Sequence, residues 1–164
     1  MKTKTYENAM DAALAYLTAR MRTKAETEDK LRTLGYTDDE IETTVERLEE
    51  LRLIDDGTYA SEFIRTRTAS GNHSRKALRY QMMKHKIDLD KIEEALETIG
   101  PEQEYAAAEE IARREWRNRS SLEPPERRNK VFAKLCRGSF DMDVVCSVCR
   151  KLTEEGEECE IYDL

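Results

Sequence analysis

Residues that turn a chain sharply are scarce in this sequence: 164 residues hold 6 glycines and 3 prolines. A β-sandwich or barrel needs turn chemistry about every 8–12 residues, together with β-branched alternation, and neither is present. Large apolar side chains are also few, with 3 Phe and 1 Trp, and the hydrophobic share of 38% only equals the charged share. One thick globular core is therefore excluded. No apolar run approaches the roughly 18 residues of a membrane span, and mean hydropathy is -0.82. The start, Met1-Lys-Thr-Lys-Thr-Tyr-Glu, lacks the apolar stretch of a secretory signal. A soluble, cytoplasmic, all-α protein is the expectation.

Reactive groups are equally sparse. The two histidines, His73 and His85, have no Ser, Cys or carboxylate at a recognisable catalytic spacing, and the glycines form no phosphate loop. An enzyme is not expected. Cys146-Ser-Val-Cys149, with Cys136 and Cys159, could be imagined as a zinc or redox site, but the second C-x-x-C of a four-thiolate site is missing. Cys149 instead falls on an apolar helical stripe, where a small buried side chain is the simpler reading. Neither a cofactor nor a metal is expected. Trp116 reads as a core residue.

What the sequence does contain is helical periodicity, three times over. Ile41, Val45, Leu48 and Leu51 form one apolar stripe on a charged helix. Thr37 suits the N-cap, Glu40 completes a capping box, and Tyr36 can staple onto Ile41. The device recurs at Ile87-Asp88 with Ile92, Leu96 and Ile99, and at Phe140-Asp141 with Val145, Cys149 and Leu152. From each staple residue the stripe falls at +5, +9 and +12. Leu31, Met82 and Leu135 sit five residues before the staples; Lys24, Arg75 and Arg128 sit twelve before them. The staples are 51 and then 53 residues apart, so the chain is an internal repeat.

Each repeat has an earlier helix as well: 12–21 with Leu14 and Leu17, 59–68 with Phe63 and Ile64, and 105–117 with Ala108, Ile111, Ala112 and Trp116. Thr23 with Glu26 suits a second-helix N-cap, Asp55-Asp56-Gly57 and Gly100-Pro101 separate the repeats, and Pro124-Pro125 opens the middle helix of the third. The expected architecture is an elongated, curved array of three tandem three-helix repeats, about nine helices, over 1–54, 55–100 and 101–155, followed by an acidic tail at 156–164. A unit of about 50 residues buries too little surface to be secure alone, so modest local cores that lean on one another are expected.

Charge is segregated along the chain. From Phe63 to Ile87 there is no Asp or Glu, while Arg65, Arg67, Arg75, Lys76, Arg79, Lys84 and Lys86 are basic. A second stretch carries Arg113, Arg114, Arg117, Arg119, Arg127, Arg128, Lys130, Lys134 and Arg137 against Glu115, Glu123 and Glu126. Acid gathers in Asp38, Asp39, Glu40, Glu42, Glu46, Glu49 and Glu50 and after Thr153. Most such charges simply keep helices solvated, but an acid-free run raises the local potential toward phosphates or an acidic protein surface. All the basic residues named here except Arg119 and Arg137 form the candidate partner-binding set. With no zinc finger, basic zipper or aromatic RNA-binding motif, any nucleic-acid contact would be to phosphate and non-sequence-specific.

The run Leu53-Ile-Asp-Asp-Gly-Thr-Tyr-Ala-Ser-Glu-Phe-Ile-Arg-Thr-Arg resembles the Asp-Asp junction, aromatic-Ala pair and Arg-ended helix of the RecX family, bacterial regulators of the RecA recombinase. Leu31-Arg-Thr-Leu-Gly-Tyr and Lys130-Val-Phe-Ala-Lys-Leu-Cys-Arg-Gly-Ser-Phe are similar to further elements of that family. The likeness runs from about Ala9 to Leu152. It departs from the pattern at His85-Lys86-Ile87, where the family usually has Lys-Gly-Ile, and at Ser139, an extra residue between Gly138 and Phe140. The resemblance implies a protein that binds the RecA nucleoprotein filament and restrains ATP hydrolysis and strand exchange. A monomer without membrane attachment, with possible phosphate-backbone contact to single- or double-stranded DNA, is the corresponding expectation. A non-sequence-specific helical DNA-binding protein is the alternative.

Overall fold

The computed structural model describes residues 6–69 and 73–162, with side chains described up to residue 154 and not at residue 69. The side chains of the 156–164 tail and of Cys159 therefore lie outside the described residues. Among the described residues there are nine helices and no strand: α1 (Ala9–Leu17), α2 (Lys24–Leu34), α3 (Asp38–Glu50), α4 (Asp56–Ala69), α5 (Arg75–Lys84), α6 (Leu89–Leu96), α7 (Pro101–Asn118), α8 (Pro124–Arg137) and α9 (Met142–Tyr162).

The spacing that defines the repeat has a backbone cause. The second helix of each repeat ends on a residue in the left-handed region immediately before the staple: Gly35 at φ 88°, Lys86 at 58° and Ser139 at 60°. In α2 the Gly35 N–H donates to the Arg32 carbonyl at 3.0 Å and the Tyr36 N–H to the Leu31 carbonyl at 3.3 Å. In α8 the Ser139 N–H donates to Cys136 at 3.0 Å and the Phe140 N–H to Leu135 at 3.4 Å. These are Schellman closures, in which the residue after the left-handed position meets the side chain five residues back. Leu31, Met82 and Leu135, five before the staples, are all 0% exposed. The two departures from the family pattern are thus explained. Lys86 adopts the left-handed turn without a glycine, and the extra residue in the third repeat moves that turn from Gly138 to Ser139.

The same staple residue then enters the next helix. The Thr37 N–H donates to Glu40 Oε2 at 2.8 Å and the Glu40 N–H to Thr37 Oγ1 at 3.3 Å, closing the capping box. All nine residues at +5, +9 and +12 are buried, at 5% exposure or less. Each of the eight Ile, Val and Leu side chains among them, removed from water, is worth roughly 1.5–3 kcal/mol. Leu51 does not belong to this stripe: it caps α3 and is half exposed. Two further expectations are corrected at helix starts. Asn8 caps α1, accepting the Asp11 N–H at 2.9 Å, so the helix begins before residue 12 and buries Ala9, Ala12 and Ala13, leaving Leu14 exposed. Asp55 accepts the Thr58 N–H at 3.0 Å, so α4 begins at Asp56, before residue 59, directly at the boundary between the repeats.

Two compact bodies result. One takes in α1 to α3, α4 as far as Phe63, and Gln81–Ala95; the other takes in Ile64–Tyr80 and the chain from Leu96 onward. A polar junction of the same kind recurs in each body. In the first body the buried Thr23 hydroxyl accepts the Glu26 N–H at 3.2 Å and donates to the His85 carbonyl at 3.0 Å, while buried Asp56 accepts the Lys24 N–H at 2.9 Å. In the second body the buried Ser74 hydroxyl accepts the Ala77 N–H at 3.1 Å and donates to the Gly138 carbonyl at 2.7 Å, while Glu104 accepts the Arg75 N–H at 3.0 Å. Both junctions satisfy the N-terminal N–H groups of a second helix with a carboxylate from the next repeat's first helix. The ends of α5 are tied in this way to different bodies.

Candidate functional site

The basic residues of 65–86 divide between the bodies. Arg65, Arg67, Arg75, Lys76 and Arg79 belong to the second, and Lys84 and Lys86 to the first. Lacking acid in sequence does not leave the stretch without acid in space. Lys86 Nζ lies 2.7 Å from Asp29 Oδ2, and Lys76 pairs with Asp141. The Lys86 hydrogen bond holds the Asp29 carboxyl below its ordinary pKa. His85 Nδ1 is 2.9 Å from Glu26 Oε1, and its ring centroid lies 5.6 Å from that of Tyr59 and 5.8 Å from that of Phe63. Arg65, Arg67, Arg79 and Lys84 are engaged as well. Helix packing brings in carboxylates from distant segments, which a linear charge count misses.

The second stretch separates into structural and uncommitted cations. Arg113 and Lys151 both donate to Glu109 Oε1, at 2.7 and 2.8 Å, and together lower its pKa, Lys151 contributing most. Arg119 pairs with Glu115 at 3.0 Å. The Arg127 guanidinium sits 4.6 Å from the Trp116 ring centroid and donates to the Trp116 carbonyl at 3.1 Å. Trp116 is accordingly half-buried packing surface, held by a cation–π contact. Arg114 and Arg117 on α7 and Arg128, Lys130, Lys134 and Arg137 on α8 are exposed, and they make no ion pair among the described residues.

Arg114, Lys134 and Arg137 line a groove of about 310 Å³ between α7 and α8, together with Ile111 and Gly138. Arg137 lies outside the candidate set read from the sequence. The signal for it was present: Lys130, Lys134 and Arg137 step by four and three along one face of a helix. Acid dominates the other body, which holds 12 basic against 19 acidic residues, whereas the second body up to Thr153 holds 16 against 10. Asp38, Asp39, Glu40, Glu42 and Glu46 are exposed along α3.

The thiols offer less. Cys149 is buried in the third core and burial pushes its pKa up, Cys136 is half-buried, and Cys146 is exposed. No group of three or more His, Cys, Asp or Glu able to hold a metal occurs among the described residues. None of their helices is long and apolar enough to cross a membrane.

Models of the first and second three-helix domains of RecX match residues 9–48 and 55–96. The regulatory protein RecX of Mycolicibacterium smegmatis is 34% identical over 129 residues, 79% of this chain and 69% of that protein. The chain belongs to the RecX family. Another relative, the regulatory protein RecX of Mycobacterium marinum, is 32% identical over 143 residues, covering 87% of this chain and 83% of its own length. The crystal structure of RecX from Lactobacillus salivarius is similar at a TM-score of 0.81 and 28% identity, over 88% of this chain and 94% of that one. The all-α fold read from the repeats is therefore that of a family whose curated members are regulatory proteins.

Proposed function

We propose that this RecX-family protein binds the RecA nucleoprotein filament and modulates it, mainly by inhibiting ATP hydrolysis and strand exchange. Family membership across both matched three-helix domains carries the reading. Its repeats, 1–54, 55–100 and 101–155, act as a monomer in the cytoplasm. Tandem helical repeats that touch neighbouring protomers bind an assembled filament better than free subunits, and so trap one filament conformation or block addition of the next subunit. The exposed basic residues of α7 and α8 face acidic recombinase surface or DNA phosphate, while α3 faces a basic region or solvent. Inhibition of this kind needs no catalytic group, cofactor or metal.

The test is a DNA-dependent ATPase assay of RecA filaments with substoichiometric amounts of this protein. Dose-dependent inhibition that needs the assembled filament is the expected result. No change in ATPase and no filament binding across physiological salt would overturn the reading. Direct non-specific DNA binding is the second reading, favoured by the α7–α8 groove, and it requires steep loss of binding with salt in the absence of recombinase.

A further inference from the structure

We propose that His85 and Glu26 form a pH-sensitive lock between the first two repeats, closed while the imidazole carries a charge and slackened once it is neutral. Every group involved lies within the first body. His85 is held twice by the start of α2. Its carbonyl accepts the hydroxyl of Thr23, the N-cap, at 3.0 Å, and its Nδ1 lies 2.9 Å from Oε1 of Glu26 in the first turn. The pair is shielded from solvent, with side-chain exposures of 32% for His85 and 23% for Glu26. From α4 the rings of Tyr59 and Phe63 close over it, their centroids 5.6 and 5.8 Å from that of the imidazole. Charges set in such surroundings are screened less by salt than a pair in open water.

The carboxylate is incompletely answered by its other neighbour. Glu26 Oε2 is buried and makes no hydrogen bond among the described residues, and Arg22 Nη1 stands 3.9 Å from it. The Arg22 guanidinium lies instead 4.2 Å from the Tyr16 ring centroid, with its own Nε buried and unbonded. A protonated imidazole meets the Glu26 charge at closer range than Arg22 does. The remaining charges around the ring are committed: Lys86 pairs with Asp29 at 2.7 Å, and Lys84 and Glu62 are engaged as well. Histidine is the side chain whose ordinary titration falls between about pH 5 and 8, where carboxylates remain ionised. While the imidazole is charged, the folded junction holds an ion pair that the unfolded chain lacks. As pH rises and the proton leaves, a neutral hydrogen bond remains and the charge contribution is lost. Acid therefore tightens α2 against the turn between α5 and α6, and alkali slackens it.

The experiment is urea unfolding of the full chain, followed by circular dichroism, at about pH 5.5 and about pH 8, the two sides of ordinary histidine titration. His85→Lys keeps a permanent charge at this position and His85→Gln keeps none. Glu26→Gln retains an acceptor oxygen without its charge, and His73→Gln in the second body is the control. The stability gap between wild type and His85→Gln should widen on acidification by about two- to fivefold in the unfolding equilibrium constant, the range of a partly exposed ion pair. The gap between His85→Lys and wild type should widen on going to the alkaline pH. Combined with Glu26→Gln, both gaps should stay constant with pH, whereas His73→Gln should leave both changes in place. Circular dichroism before denaturant verifies that each variant is folded, and the comparison with His85→Gln decides the matter without His85→Lys. A gap between wild type and His85→Gln that is equal at both pH values would overturn the proposal. So would a gap that widens as much when Glu26→Gln is present, because the proton would then be answered by another group.

Discussion

Ser139→Gly is expected to make the protein more stable, and Gly35→Ala less so, although both alter one turn of the repeat. Ser139 holds φ at 60° and Gly35 at 88°, each closing a second helix immediately before the staple. A left-handed conformation costs an L-residue about 1–2 kcal/mol, and glycine gives back roughly 0.5–1 kcal/mol of that as chain entropy. Ser139→Gly should therefore gain about 0.5–1 kcal/mol, and Gly35→Ala should lose about as much. No atom lies within 4 Å of the place a Cβ added at Gly35 would take, so backbone strain is the whole of that loss. Lys86→Gly gains the same conformational term but gives up the exposed pair with Asp29, worth at most ~1 kcal/mol, and should come out near neutral. Gly138 supplies the internal control. Its φ of -75° is ordinary, and an added Cβ would stand 3.1 Å from the Phe140 ring and 3.2 Å from the Leu135 carbonyl, so Gly138→Ala brings no comparable gain. Urea unfolding followed by circular dichroism reads these differences as midpoint shifts at constant m-value. A lower midpoint for Ser139→Gly, or none of the expected loss for Gly35→Ala, would refute the argument that the left-handed position belongs to the residue before the staple.

Substitutions at two further positions test the junction and the core. Burial raises the Asp56 carboxyl pKa above its ordinary value, so the folded state binds this proton more tightly than the unfolded chain. The stabilising contribution of that proton is present below the unfolded pKa and is lost as pH rises through the folded one. Asp56→Asn keeps an oxygen for the Lys24 N–H and should match or exceed wild-type stability at pH 7, losing any advantage near about pH 4. Asp56→Ala leaves that buried N–H unpaired and should cost about 1–3 kcal/mol; denaturation at both pH values distinguishes the two variants. Ile92→Ala should destabilise by roughly 2–5 kcal/mol, since Ile92 is 0% exposed, and a near-neutral melting shift would contradict its place in the stripe.

The helices were legible because their signals are local. Thr37 with Glu40, the proline pair at 124–125 and the +5, +9, +12 spacing act within one or two turns, and each is where the pattern requires it. Leu14 and Leu51 were misplaced because an apolar residue near a helix end satisfies a periodic template without facing the core. The candidate site was legible only as a list. Which cations are free depends on carboxylates far away in sequence, such as Asp29 for Lys86, 57 positions off, and Asp141 for Lys76, 65 positions off. No window of charge counting reaches that distance.

The junctions mark the deeper boundary of what one strand of sequence can disclose, and also a way past it. Ala13, Ala60 and Ala108 are fully buried equivalents in the three first helices, and the residue four before each is Ala9, Asp56 and Glu104. Thirteen before the staples stand Thr23, Ser74 and Arg127. Read singly, a Thr, a Ser and two acids near helix starts are ordinary capping residues. Read across repeats, the pairs Thr23 with Asp56 and Ser74 with Glu104 each join one repeat to the next, because a buried hydroxyl and a buried carboxylate must both find partners. Ala9 packs into the first core and Arg127 lies on Trp116, and neither takes part in such a pair. Polarity that changes between equivalent positions therefore locates the junctions, just as apolarity that persists between them locates the cores. Arg114, Lys134 and Arg137 contribute to neither a core nor a junction, and they make no ion pair among the described residues.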